Sequence, residues 1–276
     1  MTAPDPTAVP PARLSTRPVL VLAGAAAVVM ASAQIAIPLT TRHAGLSSAV
    51  VVALAACAVA AATATWGLGR ATIATVLVAP TALVAELVGT RTGWPFGAYR
   101  YLGALRPTIA GVPAIVPLAW LGMGLAAWEL AGRLAHQRVT RVAVGAAALT
   151  AWDLFLDPQM TRERYWVWSG GGVYRNVPVS NYLGWLACSV LVMGLFSISL
   201  PGERRSLALL GLFTWTAVME TLGFFVFFGD PLVGAVGGAA TLPLVALAWA
   251  RRRPGASTTV LTRHPGPIAG ASTSAA

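Results

Sequence analysis

The stretch LSSAVVVALAACAVAAATATWGL, Leu46 to Leu68, runs for 23 residues without one charged side chain. At a rise of about 1.5 Å per residue it reaches about 34 Å, enough to cross a hydrocarbon layer about 30 Å thick. It is apolar on every side. A barrel strand would alternate and a surface helix would show a polar face. In lipid only a helix satisfies its own backbone amides, so this stretch predicts a transmembrane helix.

Working outward, similar runs span Pro18 to Leu39, Ala71 to Val88, Val112 to Ala131, Val142 to Asp157, Val179 to Leu200, Ser206 to Phe228 and Pro231 to Ala250. The expectation is an all-α, polytopic membrane domain over 18–250 with seven to eight helices, eight on this count. A Pro-, Ala- and Thr-rich arm over 1–17 and a basic Gly/Ser/Thr/Pro tail over 251–276 read as disordered. Arg17 and Ala31-Ser32-Ala33 imitate the flank and cleavage site of a signal peptide. The apolar run continues past that point through Ile35, Ala36 and Ile37, which favours an uncleaved first helix. Gly122/Gly124 and Gly234/Gly238 read as small residues that let helices approach closely, not as nucleotide loops.

Composition agrees. Of 276 residues, 57% are hydrophobic and 10% charged, far below the roughly 25% charge of soluble domains. The net charge of +10 therefore does not point to nucleic acid. All 19 basic residues are Arg, and they sit between apolar runs. With the N-terminus inside, Arg13, Arg17, Arg70, Arg133, Arg138, Arg141, Arg204, Arg205, Arg251, Arg252, Arg253 and Arg263 are inside. Arg42, Arg91, Arg100, Arg106, Arg162, Arg164 and Arg175 are outside. The bias predicts cytoplasmic termini in a plasma (inner) membrane protein. Cys57 and Cys188 lie within apolar runs, and His43, His136 and His264 are isolated. No disulfide framework, metal cluster, P-loop or nucleophilic triad follows from them.

The two longest connections, about 89–111 and 158–178, fall on one face, and intramembrane acids approach it. A carboxyl group in hydrocarbon is costly and marks a functional site by default. Asp153 and Asp157 are four apart, so a helix places them on one face. Pro158 disfavours helical geometry before it and so predicts Asp157 at the helix mouth. Two such neighbours in low dielectric do not both ionise, which leaves a proton donor near neutral pH. The alternative is a pair that merely anchors the long loop. Glu86 ends the third span; its structural alternative is pairing with Arg91. Glu220 lies mid-span, and a polar inter-helix contact would also explain it. Glu129 has Arg133 four residues on, and a local ion pair accounts for it. Asn181, opening the sixth span, can bond a carboxyl group or place a water. The aromatics around 165–185 exceed what an interfacial belt requires, and aromatic faces stabilise cations.

Glu86 is followed by Thr92-Gly93-Trp94-Pro95-Phe96-Gly97, Tyr99-x-Tyr101, Gly111-Val112-Pro113 and Trp120. A second block holds Asp153-x-x-x-Asp157-Pro158, Trp166-x-Trp168, Gly172-x-Tyr174, Val177-Pro178 and Asn181-x-x-Gly184-Trp185. Together these blocks resemble the integral-membrane carotenoid biosynthesis proteins, whose characterised members are carotenoid 1,2-hydratases. The resemblance covers about 86–185. It implies hydration of the terminal (1,2) double bond of an acyclic psi-end carotenoid to a tertiary alcohol, with no redox cofactor and no metal. Asp153 or Asp157 would donate the proton, and Glu86 would hold or activate the water. Asn181 would orient an acid or the water, with Glu220 as a further acid. Trp94, Phe96, Tyr99, Tyr101, Trp166, Trp168, Tyr174 and Trp185 would surround the substrate, which would arrive from the bilayer among membrane lipids. Other enzymes of the pathway are conceivable partners. Two other classes fit the acids: a magnesium-dependent intramembrane prenyltransferase, and a carotenoid or lipid transporter or binding protein.

Overall fold

The computed structural model describes residues 16–40 and 43–251. Most of the expected arm and most of the expected tail lie outside the described residues; Arg17, counted with the arm, begins the first helix. Among those described, eight helices are long and apolar enough to cross a membrane. They are α1 (Arg17–Ala36), α2 (His43–Trp66), α3 (Leu68–Thr92), α4 (Ile115–Leu134), α5 (Arg138–Arg162), α6 (Val179–Ser199), α7 (Leu207–Val226) and α8 (Pro231–Ala250). A short 3-10 turn, Ile37–Leu39, extends α1. The chain is a multi-pass membrane protein.

Helix α4 is the hub and is almost wholly buried. It packs against α2, α3, α5, α6, α7 and α8. Its Ala119, Gly122, Gly124, Ala126, Ala127 and Ala131 leave room for neighbouring side chains, the small-residue packing of membrane helices. A Cβ on Gly122 would meet Leu54 of α2, and one on Gly124 would meet Phe196 of α6. Gly234 and Gly238 of α8 face Phe225 and Thr221 of α7 in the same way. At the far end of α4, buried Glu129 accepts a 2.8 Å bond from Arg133, the local pair expected from the spacing.

Helix α5 departs from expectation. It does not end at Asp157 but continues to Arg162 with Pro158 inside it. Proline removes one helical N–H and so orphans the carbonyl four residues earlier, here Leu154. The Tyr174 hydroxyl donates to that carbonyl at 3.1 Å, so the loop supplies what the helix lacks. Asp157 therefore sits within the last turns of α5 and not at its mouth.

The two long connections are joined to each other. β1 (Tyr99–Tyr101) pairs antiparallel with β4 (Trp166–Trp168), aligning Tyr99 with Trp168 and Tyr101 with Trp166. Side chains two apart on a strand share a face. Tyr-x-Tyr and Trp-x-Trp therefore direct four aromatic rings the same way, while Arg100 is exposed. β2 (Thr108–Ile109) and β3 (Val112–Pro113) form a second small ribbon ahead of α4. Gly89 and Gly184 let these connections close onto the bundle. A Cβ at Gly89 would lie 2.7 Å from Phe96, and one at Gly184 would lie 2.9 Å from the Pro95 carbonyl oxygen.

Candidate active site

A cavity of about 340 Å³ lies beneath the β1–β4 ribbon. The C-terminal halves of α3, α5 and α7 supply Glu86, Asp157 and Glu220. The N-terminal parts of α4 and α6 supply Trp120, Asn181 and Trp185. The remaining walls are mainly apolar, including Leu54, Ile115, Leu156 and Met160, with Gln34, Ser47, Gln159 and Thr216 among them. An up-and-down bundle brings these helix ends to one face, as the loop arithmetic anticipates.

Glu86 is an acceptor for three donors. Tyr99 and Tyr101 hydroxyls donate to its Oε2 at 2.5 and 2.7 Å, and Trp120 Nε1 donates to Oε1 at 3.3 Å. Arg91 is exposed and forms no part of this set, so the alternative Glu86–Arg91 pairing is replaced by aromatic donors. Burial, then the neighbouring Glu86 charge, pushes both phenols above the ordinary tyrosine range. Tyr99 and Tyr101 therefore remain protonated donors at physiological pH.

Asn181 bridges the second acid group. Its Nδ2 donates to Asp153 Oδ2 at 3.0 Å and to Asp157 Oδ2. Trp166 Nε1 donates to Asp157 Oδ1 at 2.9 Å. Both carboxyl groups thus accept from the same amide nitrogen. Two carboxyl groups held on one amide nitrogen in a buried site repel when both are ionised, which favours a proton on one of them. Their positions differ. Asp157 lines the cavity, whereas Asp153 is fully buried behind it, and its Oδ1 has no partner among the described residues. Asp157 is thus the member of the pair able to touch a molecule in the cavity.

Aromatic rings complete the walls. Trp120 stacks on Trp185 with centroids 4.0 Å apart, and Trp152 meets Trp185 edge-on at 6.1 Å. Tyr101 meets Trp166 edge-on, and Tyr99 lies tilted against Trp168, both at 5.7 Å. Phe96 and Trp168 also line the cavity, and Trp168 Nε1 donates to the Phe96 carbonyl at 2.9 Å.

Eleven of the thirteen residues singled out from the sequence are in or directly behind this cavity. The other two are not. Trp94 is 71% exposed, directed away after the left-handed Gly93 that ends α3. Such a ring at a helix end suits the membrane interface, not a buried wall. Tyr174 does not line the cavity, because its hydroxyl is committed to the Leu154 carbonyl and its ring to Tyr182. Sequence reasoning did not include Gln34, Trp120 and Trp152 among the site residues. A lone amide within an apolar span, and tryptophans deep inside spans, were the available signs. Among the described residues, no three His, Cys, Asp or Glu side chains cluster as a metal site would require.

Comparison with known proteins meets this geometry. A bisanhydrobacterioruberin hydratase from Haloarcula japonica is 33% identical over 145 residues, 50% of this chain and 49% of that protein. The chain thus spans about half the length of the curated relative it matches. No solved structure matches it. A family model described as carotenoid biosynthesis protein matches residues 45–249, which takes in seven of the eight long helices and the whole acid site. By that match, the chain belongs to the carotenoid biosynthesis protein family.

Proposed function

We propose that this protein is a carotenoid 1,2-hydratase, adding water without a redox cofactor to the terminal double bond of an acyclic psi-end carotenoid. The observation that carries the reading is one apolar cavity holding two separate acid groups, Asp157 with Asp153 and Glu86, between aromatic walls. Hydrating an isolated trisubstituted alkene needs a proton donor, stabilisation for a tertiary cation, and a water held on a base.

Each need has a residue. Asp157 gives its proton to the less substituted alkene carbon, and the π electrons form the new C–H bond. The cation left on the tertiary carbon sits against the faces of Trp120, Trp185 and Trp166. Such faces contribute roughly 1–2 kcal/mol each in a desolvated site. Glu86, oriented by Tyr99, Tyr101 and Trp120, holds the water. The water oxygen bonds to the cation and gives its surplus proton to Glu86. That proton returns to the Asp153–Asp157 pair, so the net change is one water added. Asn181 positions both aspartates.

The substrate is supplied by the bilayer, and the cavity admits only its end. The Arg distribution supports the reading that this face lies away from the cytoplasm of an inner membrane, with both termini cytoplasmic. Expression in bacteria that accumulate lycopene tests the activity. A pigment that gains the mass of one water supports hydration. Unchanged pigment, redistributed in the cell, would make the protein a carrier instead.

A further inference from the structure

Most of the cavity wall is closed to the surroundings of the bundle, but one stretch is not. Of the residues lining it, four are exposed: Ile35 at 49%, Leu39 at 74%, Leu222 at 45% and Phe227 at 53%. All four belong to two neighbouring pieces of chain. Ile35 and Leu39 lie on α1 and the 3-10 turn that extends it, and Leu222 and Phe227 lie on α7 and its last cap. These side chains face lipid and cavity at once. The seam between α1 and α7 is therefore where the cavity meets the acyl chains.

The helices beside the seam are held unequally. α7 packs on α8, α4 and α2, whereas α1 rests mainly on α2. Among the described residues, Gln34 makes side-chain bonds across the seam. Gln34 donates from Nε2 to Glu220 Oε1 at 3.4 Å and accepts from Trp215 Nε1 at 2.8 Å. A glutamine within a lipid-facing helix is costly unless both ends of its amide are used, and here both are spent on α7. An outward shift of α1 would have to break those bonds, and its main packing is on α2.

We infer that the α1–α7 seam is the lateral doorway through which an acyclic polyene end passes from the bilayer to the acids, and that Gln34, bonded to Glu220 and Trp215, is its latch. This rests on the polyene reading above but not on the hydration step. Between Ile35, Leu222 and Asp157 the lining is mainly apolar, with Met30, Ile37 and Met219 among its residues beside the latch. Glu220 is thereby a doorway residue, distinct from Asp157, which protonates the alkene, and from Glu86, which holds the water.

The test uses the full-length protein in proteoliposomes mixed with vesicles loaded with lycopene. Pigment bound per protein is followed over time by absorbance after re-isolation. Ile35→Trp and Leu222→Trp should slow loading about tenfold while the final amount bound changes little, because a door governs rates in both directions. Gln34→Leu should speed loading about threefold. Val190→Trp and Leu191→Trp, on the exposed face of α6 and away from the cavity, serve as controls and should load as the wild type does. Door variants that load at the control rate would overturn the inference. A wild-type protein that takes up no pigment at all would overturn the polyene reading, and the doorway with it.

Discussion

Replacing Tyr174 with Phe removes a single hydroxyl, yet its effect should depend on a residue in another element. The Tyr174 hydroxyl bonds the Leu154 carbonyl at 3.1 Å, and that carbonyl is free because Pro158 lacks an N–H. Leaving a carbonyl unsatisfied away from water costs about 1–3 kcal/mol. Tyr174 is half-buried, so some water reaches the site and the lower part of that range applies, about 1–2 kcal/mol. Pro158→Ala restores the helical N–H to Leu154. In that background Tyr174→Phe should cost only a few tenths, giving a coupling of about 1 kcal/mol between residues in the helix and the loop. The assay is reversible denaturation of the four proteins in mixed micelles, followed by helical circular dichroism. Equal costs of Tyr174→Phe in both backgrounds, within about 0.3 kcal/mol, would refute the reasoning. The same bond steadies the turn that carries Asp157, so product formation should fall in Tyr174→Phe and recover in part in the double variant.

Asn181→Leu keeps volume but removes the donor shared by Asp153 and Asp157. Hydrogen bonds to charged groups contribute about 1.5–3 kcal/mol, so product formation in membranes should fall roughly ten- to hundredfold, and full retention would deny Asn181 its role. Trp185→Leu removes the ring stacked on Trp120. About tenfold should be lost in turnover at saturating pigment, with little change in the amount bound; a loss confined to binding would remove the cation role. Because burial and Glu86 raise the phenols of Tyr99 and Tyr101, their neutral donor forms persist below about pH 10. Any alkaline loss of activity below that pH should therefore be unchanged in Tyr101→Phe, and a limb that moved with that substitution would contradict the assignment.

The fold was legible because apolar length alone specifies a membrane helix. The run from Leu46 to Leu68 needs no partner to declare itself, and Pro231–Ala250 matches its span to the residue. The convergence of acids was legible for a related reason. An even number of crossings returns the chain to one face whatever the packing. What stayed hidden depends on pairing between distant residues. Tyr-x-Tyr and Trp-x-Trp each show a period of two, but nothing local says that they pair with each other. Pro158 read as an end because the compensating hydroxyl lies sixteen residues away. Trp94 read as part of the wall because it sits among residues that are, while its direction is set by the turn at Gly93. Asp153 and Asp157 read alike, and only packing puts one against the cavity and the other behind it.

The central claim is that Asp157 protonates a carbon of the polyene. The most direct measurement is the pigment made in deuterated water, re-equilibrated with ordinary water and examined by mass spectrometry. The account predicts that wild-type product carries one added water and one deuterium bound to carbon beside the new alcohol, and that Asp157→Asn makes none. Hydrated product from Asp157→Asn at the wild-type rate, or wild-type product without carbon-bound deuterium, would contradict it.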